Sequence, residues 1–442
     1  MKIILIRPKP DSETIGLQHV MICEPLELEY VGAVLEDRHD VVLFDMILEK
    51  KPFDDIVKSE KPHMVCMTGY ISHVHVLKDL AKRVKAIDAD IKVVVGGSHA
   101  EVVPEDYIDG AFDHILAANA LKHITALADG ETRPRLIVEP KDRTFDYPLP
   151  ARHLSNRYRK DYYYMFHNPC SLIKTSFGCP YNCSFCFCKE ITDGAYFTRS
   201  IDDVILELKT IPEREIYIVD DDFLFDSKRL EYFCEKVAEE NLDKRYLVYG
   251  RADFIAQNPQ IMRKLKQAGL RAVIVGLESY ADDELDAYHK NSDTSLSLKC
   301  LEVLNDLEIE CYGTFIIGLD WKRENFKALY RFIVRSGIQF VNLQPLTPMK
   351  GTELYDTYTD RLIVPPEDYA RWDMAHVVVK PTHLSIRRYY FEIVKLYYKT
   401  TVRPAMVIRA LRKYPLMENI KLTVGANRVM WQYVKRIIKG KP

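Results

Sequence analysis

Short β-branched runs alternate with helically periodic segments along most of this 442-residue chain, and that alternation narrows its folds to helix-covered parallel sheets. Lys2–Arg7, Asp40–Asp45, Met64–Gly69 and Ile91–Gly97 read as strands, with helical periodicity over Leu26–Glu36, Phe53–Ser59 and Val74–Ile87 between them. This first stretch predicts a doubly wound α/β sheet, which binds ligands beyond the carboxyl ends of its strands. Those ends carry Thr68-Gly69-Tyr70-Ile71-Ser72, Gly96-Gly97-Ser98-His99-Ala100 and the loop after Asp45, and their small residues let a backbone approach a large ligand closely. Beyond a linker containing Pro148 and Pro150 a second α/β stretch begins. Its expected strands are Ser171–Phe177, Glu215–Asp220, Tyr246–Arg251, Arg271–Glu278, Ile309–Gly318 and Phe340–Pro345, separated by amphipathic helices.

Length argues for two or three domains, and a formal net charge of -2 gives no global attraction to nucleic acid. Ten cysteines without a secretory leader suit a reducing cytoplasm with free or metal-bound thiols. No stretch approaches the ~20 apolar residues of a membrane span.

The run Cys179-Pro-Tyr-Asn-Cys183-Ser-Phe-Cys186 follows the first strand of the second stretch. Thiolates hold iron–sulfur clusters, and a fully ligated [4Fe–4S] centre needs four of them, whereas this compact set has three and leaves one iron open. A structural zinc site prefers paired C-x-x-C units. The spacing C-x-x-x-C-x-x-C, with Phe185 before its last member, resembles the signature of the radical S-adenosylmethionine (SAM) superfamily, and Cys188 falls outside it. The resemblance implies a partial (β/α)6 barrel with Cys179, Cys183 and Cys186 as catalytic cluster ligands. It also implies a SAM site at the strand ends: Phe185, Asp220 and Asp221 with the adjoining Asp222, Arg251, Glu278 and Ser279 of Gly276-Leu-Glu278-Ser279, Gly318 and Gln344. A buried Glu at a strand end normally needs such a partner.

The first third, through Pro25–Leu35, His39–Asp45, Lys61–Gly69 and Val94–Ala100 followed by Pro104-Glu105, resembles the cobalamin-binding domain preceding many radical SAM barrels. The resemblance places Tyr70, Ile71, Ser72 and His73 under the cobalt, with Thr68 and Gly69 also in the cobalamin site and axial ligation open at Tyr70 or His73. Gly96, Gly97, Ser98 and His99 are placed beside the tail or corrin edge. The classical D-x-H-x-x-G motif is absent: Asp37-Arg-His39-Asp-Val-Val42 lacks the Gly and lies at the wrong strand, so His39 is not assigned to cobalt. The implied organisation is a cobalamin-binding Rossmann-like domain at 1–145, a linker at 146–170, a radical SAM barrel at 171–355 and a helical domain at 356–442, with the first domain over the barrel mouth.

The family's chemistry implies a cobalamin-dependent C-methyltransferase using a [4Fe–4S] cluster, SAM and cobalamin. A 5′-deoxyadenosyl radical would abstract hydrogen from an unactivated carbon, which then collects the methyl of methylcobalamin. The expected partners are a reductant such as flavodoxin or ferredoxin and a protein or lipid substrate. A protein side chain, such as a glutamine of methyl-coenzyme M reductase, is favoured over a hopanoid-like lipid or natural product. Oxidative cyclases and a non-enzymatic cobalamin or redox sensor are the alternatives. The segment Trp372–Val379 is expected to close the active site. In the tail, Arg403, Arg409, Arg412, Lys413, Lys421, Arg428, Lys435, Arg436, Lys439 and Lys441 are opposed only by Glu418, with apolar residues between them. That pattern suits peripheral contact with an anionic membrane by a cytoplasmic protein, an acidic partner, or a solvated face packed on the barrel.

Overall fold

The computed structural model describes residues 1–117 and 120–442. Its first sheet contains β1 (Lys2–Arg7), β2 (Asp40–Asp45), β3 (Met64–Thr68), β4 (Lys92–Gly96), β5 (His114–Ala117) and β6 (Leu136–Val138), all parallel, in the order β2-β1-β3-β4-β5-β6. The β-branched runs form strands because both faces are buried. Ile3 and Leu5 pack with Leu28 and Leu35 of α1 (Leu26–Leu35). Ile4 and Ile6 pack with Ile56 of α2 (Phe53–Glu60) and Leu77 of α3 (Val74–Ile87). Continuous apolar strands covered on both faces are what a parallel sheet requires.

The second sheet contains β7 (Cys170–Ile173), β8 (Glu215–Ile218), β9 (Arg245–Arg251), β10 (Leu270–Glu278), β11 (Glu310–Ile317) and β12 (Phe340–Pro345), parallel and in chain order from edge to edge. One face turns Ile173, Ile218, Val248, Val275 and Ile317 toward the helices, and the other turns Leu172, Tyr217, Leu247, Ile274 and Tyr312 into the concave interior. Two strands end sooner than expected from the sequence. The Thr175 N–H donates to Asp220 Oδ1 at 2.6 Å and the Ser176 hydroxyl to Oδ2 at 2.7 Å, which turns the chain off the sheet after Ile173 and fixes Asp220 beyond the end of β8. Ser176 and Phe177 pair instead with Phe197 and Thr198 in an antiparallel ribbon.

One hydrophobic cluster runs from the α2–α3 face of the first sheet through Phe185, Tyr288, Ile316, Met349 and Trp372, so the two sheets share a core at the barrel mouth. The linker locks them together from the other side. Arg152, buried, pairs with Glu24 before α1 and, at 2.6 Å, with Glu207 of the barrel, and donates to the Leu172 carbonyl at 2.7 Å. Helices α4 (Ile386–Thr401), α5 (Pro404–Lys413) and α6 (Leu416–Lys439) complete the chain. Tyr389 of α4 donates to the Ile317 carbonyl at 2.6 Å, and Tyr414, after α5, stacks 3.6 Å from Phe166 and hydrogen-bonds Glu310 at the amino end of β11. Among the described residues no helix is long and apolar enough to cross a membrane.

Candidate functional site

A cavity of about 410 Å³ opens between the two sheets. The loop after β3 supplies Thr68, Gly69, Tyr70, Ile71, Ser72 and His73 to its wall, and the turn after β4 supplies Ser98 and His99. The barrel contributes Leu172, Phe187, Met349 and Lys350, and the segment before α4 contributes Trp372, Asp373 and Met374. The connection from β1 to α1 forms the remaining side through Arg7, Thr14, Ile15, Leu17, Cys23 and Glu27. That connection was missed in the sequence, although a long link at the carboxyl end of a central strand is where a doubly wound sheet places ligand contacts.

Gly96 and Gly97 do not line the cavity. Gly97 has φ 99°, and a Cβ there would collide with Thr68 Oγ1, so this glycine is needed for the close approach of two neighbouring loops. Tyr70 is 65% exposed yet enclosed by protein, because its ring projects into the cavity; burial raises its phenol above the usual range. His73 accepts the Tyr70 N–H on Nδ1 at 3.2 Å, and burial, aided by Arg7, lowers its pKa to about 4. The ring is therefore neutral, and with Nδ1 accepting, its proton is assigned to Nε2. His99 binds Asp106 through Nε2 at 2.9 Å, and Lys350 of the barrel reaches the other oxygen of Asp106 at 2.7 Å. Burial pulls Asp106 upward, but the hydrogen bonds from His99 and Lys350 hold it below the ordinary carboxyl value.

The cysteine loop lies at the carboxyl ends of the barrel strands, after the Ser176–Phe177 ribbon. Burial pushes the Cys179 thiol up to about 12 and raises that of Cys183, which is relieved by Lys290 and Arg251. Cys186 is lowered by a hydrogen bond from Cys188, which gives that outlying cysteine a place beside the three. Arg251, at the end of β9, lies with Nη1 3.8 Å from Cys183 Sγ, its guanidinium 3.7 Å from the Tyr181 ring centre. The buried Lys290 ammonium sits 3.1 Å from Glu278 Oε1. Glu278 ends β10 at φ 60°, in a register break, a strained conformation of the kind that collects at working sites. Arg251 and Lys290 act on Cys183, and Lys290 also on Cys186, which suits a group whose thiolate ligands bring net negative charge, although among the described residues no three metal-ligating side chains converge on one point. Lys290 carried no motif and was not legible in the sequence.

The three consecutive aspartates part company. Asp220 is saturated by Thr175 and Ser176, and Asp221 accepts the Gly178 N–H at 3.0 Å and lies 3.7 Å from Lys174. Asp222 is 2% exposed, and neither carboxylate oxygen has a hydrogen-bond partner. Burial pushes its pKa up to about 7, with Arg251 and Lys290 pulling the other way. A buried, unpartnered carboxylate beside the cysteine loop fits an ammonium or other donor arriving with a ligand. Of the other expected SAM contacts, Ser279 donates to Glu284, and the Gly318 carbonyl accepts from Tyr389 at 3.3 Å. Gln344 lies beside Ile316 on β12, and Phe185 meets Tyr288 edge to face at 5.8 Å.

A family model described as a B12 binding domain matches residues 12–125, and one described as the radical SAM superfamily matches residues 173–333. The chain belongs to the cobalamin-dependent radical SAM enzymes. Among relatives in this family, the hopanoid C-3 methylase of Methylococcus capsulatus is 29% identical over 419 residues, 89% of this chain and 79% of that protein. An uncharacterized methyltransferase, PH0819, of Pyrococcus horikoshii is 25% identical over 92% of this chain and 94% of its own length. An anaerobic magnesium-protoporphyrin IX monomethyl ester cyclase of Synechocystis is 22% identical over 88% and 83%. Two solved radical SAM structures share the fold. TsrM from Kitasatospora setae, described with cobalamin and a [4Fe–4S] cluster bound, has a TM-score of 0.69 at 14% identity and covers 91% of this chain and 89% of its own. OxsB, described with aqua-cobalamin and SAM bound, has a TM-score of 0.69 at 14% identity, covering 98% and 72%. The domain order of this radical SAM enzyme is thus the one expected from its sequence, with the B12-binding domain ahead of the barrel.

Proposed function

We propose that this enzyme transfers a methyl group to an unactivated carbon of an apolar, ring-containing lipid. The observation that carries the reading is the shared cavity, into which the Thr68–His73 loop of the B12-binding domain and the barrel residues Leu172, Phe187 and Met349 open together. Similarity to the hopanoid methylase across most of both chains supports a lipid over the protein side chain favoured by the sequence reading. The aromatic and apolar lining, with Tyr70, Leu172, Met349, Trp372 and Met374, supports it as well.

When bound, cobalamin supplies a transferable methyl group, and the cluster with SAM supplies hydrogen abstraction. Cys179, Cys183 and Cys186 would hold the cluster, and Arg251 and Lys290 balance their charge. Asp222 would receive the ammonium of SAM, with Glu278 held ready by Lys290 and Asp220 serving as the brace that shapes the loop. Tyr70 and the Nε2–H of His73 would face the corrin, His73 as a donor. Trp372 and Met374, in the cavity wall, would help to exclude water, which protects reactive intermediates.

The test is anaerobic reconstitution with iron, sulfide and hydroxocobalamin, followed by quantification of 5′-deoxyadenosine and S-adenosylhomocysteine with SAM, a reductant and an extract of polycyclic lipids. Both products and a lipid heavier by one methylene are expected, with deoxyadenosine lost in Cys183→Ala. Deoxyadenosine without S-adenosylhomocysteine would overturn methyl transfer in favour of a cyclase.

A further inference from the structure

We propose that the exposed face formed by α5 and α6 docks on an anionic lipid bilayer. Of the 21 large apolar residues exposed among the described residues, 12 lie at or beyond Phe391, so the exposure is concentrated in the last three helices. On α6, Leu416, Ile420, Val424, Trp431 and Ile438 are all exposed, and at 3.6 residues per turn they fall within an arc of about 80° running the length of the helix. Arg428, Lys435 and Lys439 occupy the adjoining ~40° of the same surface. On α5, Val407, Ile408 and Leu411 are exposed beside Arg409 and Arg412. An apolar stripe flanked by cations is the surface that lies in the headgroup region of an anionic membrane.

Charge selects the occupant. Residues 402–442 carry ten Lys and Arg against the single Glu418, although the whole chain has a net charge of only -2. Some of these cations have partners within the chain: Lys413 pairs with Glu310, Arg436 with Glu13 at 2.8 Å, and Lys421 lies 3.8 Å over the Tyr163 ring. Arg409, Arg412, Arg428, Lys435 and Lys439 enter no ion pair among the described residues, which leaves a one-signed field around the stripe. A second copy of this surface would bring like charges together.

The opposite face of α6 explains what docking achieves. Gly425 is buried against the Leu17–His19 turn, where a Cβ would strike the His19 carbonyl. Gln432 donates to the Thr14 carbonyl at 3.3 Å and Arg436 to the Glu13 carbonyl at 3.0 Å. Thr14, Ile15, Leu17 and Gln18 line the cavity from the other side of that loop, so the docking helix and the cavity share a wall. The inference deepens the lipid-substrate reading, on which it rests only for the purpose of docking.

The test is flotation of the full-length reconstituted protein with vesicles of phosphatidylcholine containing about one third phosphatidylglycerol, and with pure phosphatidylcholine. Each Lys or Arg near an anionic surface contributes about fivefold, so binding at least tenfold stronger to the anionic vesicles, weakening with salt, is expected. Ile420→Asp/Val424→Asp and, separately, Arg428→Gln/Lys435→Gln should each lower it at least tenfold while leaving the circular dichroism melt in place. Equal binding to both vesicles, no binding to either, or indifference to both variants would overturn the proposal. So would a dimer by light scattering that the apolar variant dissolves. Vesicle binding without lipid methylation would sink the substrate reading and leave this one standing, and the reverse result would do the opposite.

Discussion

Asp220 and Asp222 stand two residues apart and should answer the same substitution in opposite ways. The Asp220 carboxylate is already filled by the Thr175 N–H and the hydroxyls of Thr175 and Ser176, whereas both oxygens of Asp222 are buried and free. Hydrogen bonds to a buried charge contribute about 1.5–3 kcal/mol each. Asp222→Asn should therefore weaken SAM binding by roughly 10- to 150-fold with little change in the melt, as one charge-assisted contact is lost. Asp220→Asn keeps one acceptor oxygen and loses the rest, so it should cost about 2–4 kcal/mol of stability and disturb the loop that carries Cys179. The pH dependence gives an internal check. The Asp222 carboxyl is pushed up to about 7 by burial, and an ammonium prefers the ionised form, so SAM affinity should rise as pH climbs through about 7. The assay is equilibrium dialysis of SAM against the cluster-loaded proteins from pH 6 to 8.5, paired with thermal melts. Unchanged SAM affinity in Asp222→Asn, together with loss in a stably folded Asp220→Asn, would refute the assignment.

Three further outcomes follow from the same geometry. Arg152→Met removes the cation shared by Glu24, Glu207 and the Leu172 carbonyl, and breaking such a buried pair costs about 3–5 kcal/mol, readable as a lower melting temperature by calorimetry; an unchanged melt would contradict the clamp. Glu29 is pushed up to about 8 by burial and by Glu24, so its protonated form favours folding; the stability it lends is complete below about 4.5 and lost as pH rises through about 8. Glu29→Gln should flatten the fall of melting temperature between pH 5 and 8, and an unaltered slope would show that the proton lies elsewhere. His73→Ala should bind cobalamin without change in the nitrogen hyperfine pattern of its cobalt(II) electron paramagnetic resonance spectrum, since His73 faces the cavity as an N–H donor; loss of a nitrogen coupling would make it the axial ligand.

The sheets were legible because parallel strands buried on both faces leave β-branched runs of the right length, and the cysteine loop because its ligand types and spacing are local. What the sequence concealed depends on long-range partners. Three adjacent aspartates look alike in sequence; only the turn of Thr175 and Ser176 back onto Asp220 consumes one and leaves Asp222 open. Lys290 acquires its place from Glu278, twelve residues earlier, and from Cys183, on another loop. Tyr70 and His73 stand in the expected loop, but the tautomer of His73 is set by a backbone hydrogen bond that no side-chain pattern encodes. The basic tail was visible as composition, while its division into cations that pair inward and cations left facing solvent needed the packing of α6.

The placement of charge also explains how one cavity is held between two sheets without a covalent tie. Glu24, Glu29 and Glu207 surround Arg152, with Arg199 beside Glu207, so three buried carboxylates face two guanidinium groups, and burial raises both Glu24 and Glu29. On the far side of the cavity Asp106 holds His99 of its own domain and Lys350 of the barrel. Buried ion pairs return little net stability against apolar packing but tolerate little displacement, because moving one partner strands the other. Such contacts at both flanks, with an apolar shared core between them, fix the distance from the Thr68–His73 loop to the barrel mouth. A fixed spacing between two domains is what presenting two ligands to one reaction requires, since small misplacements are costly in rate.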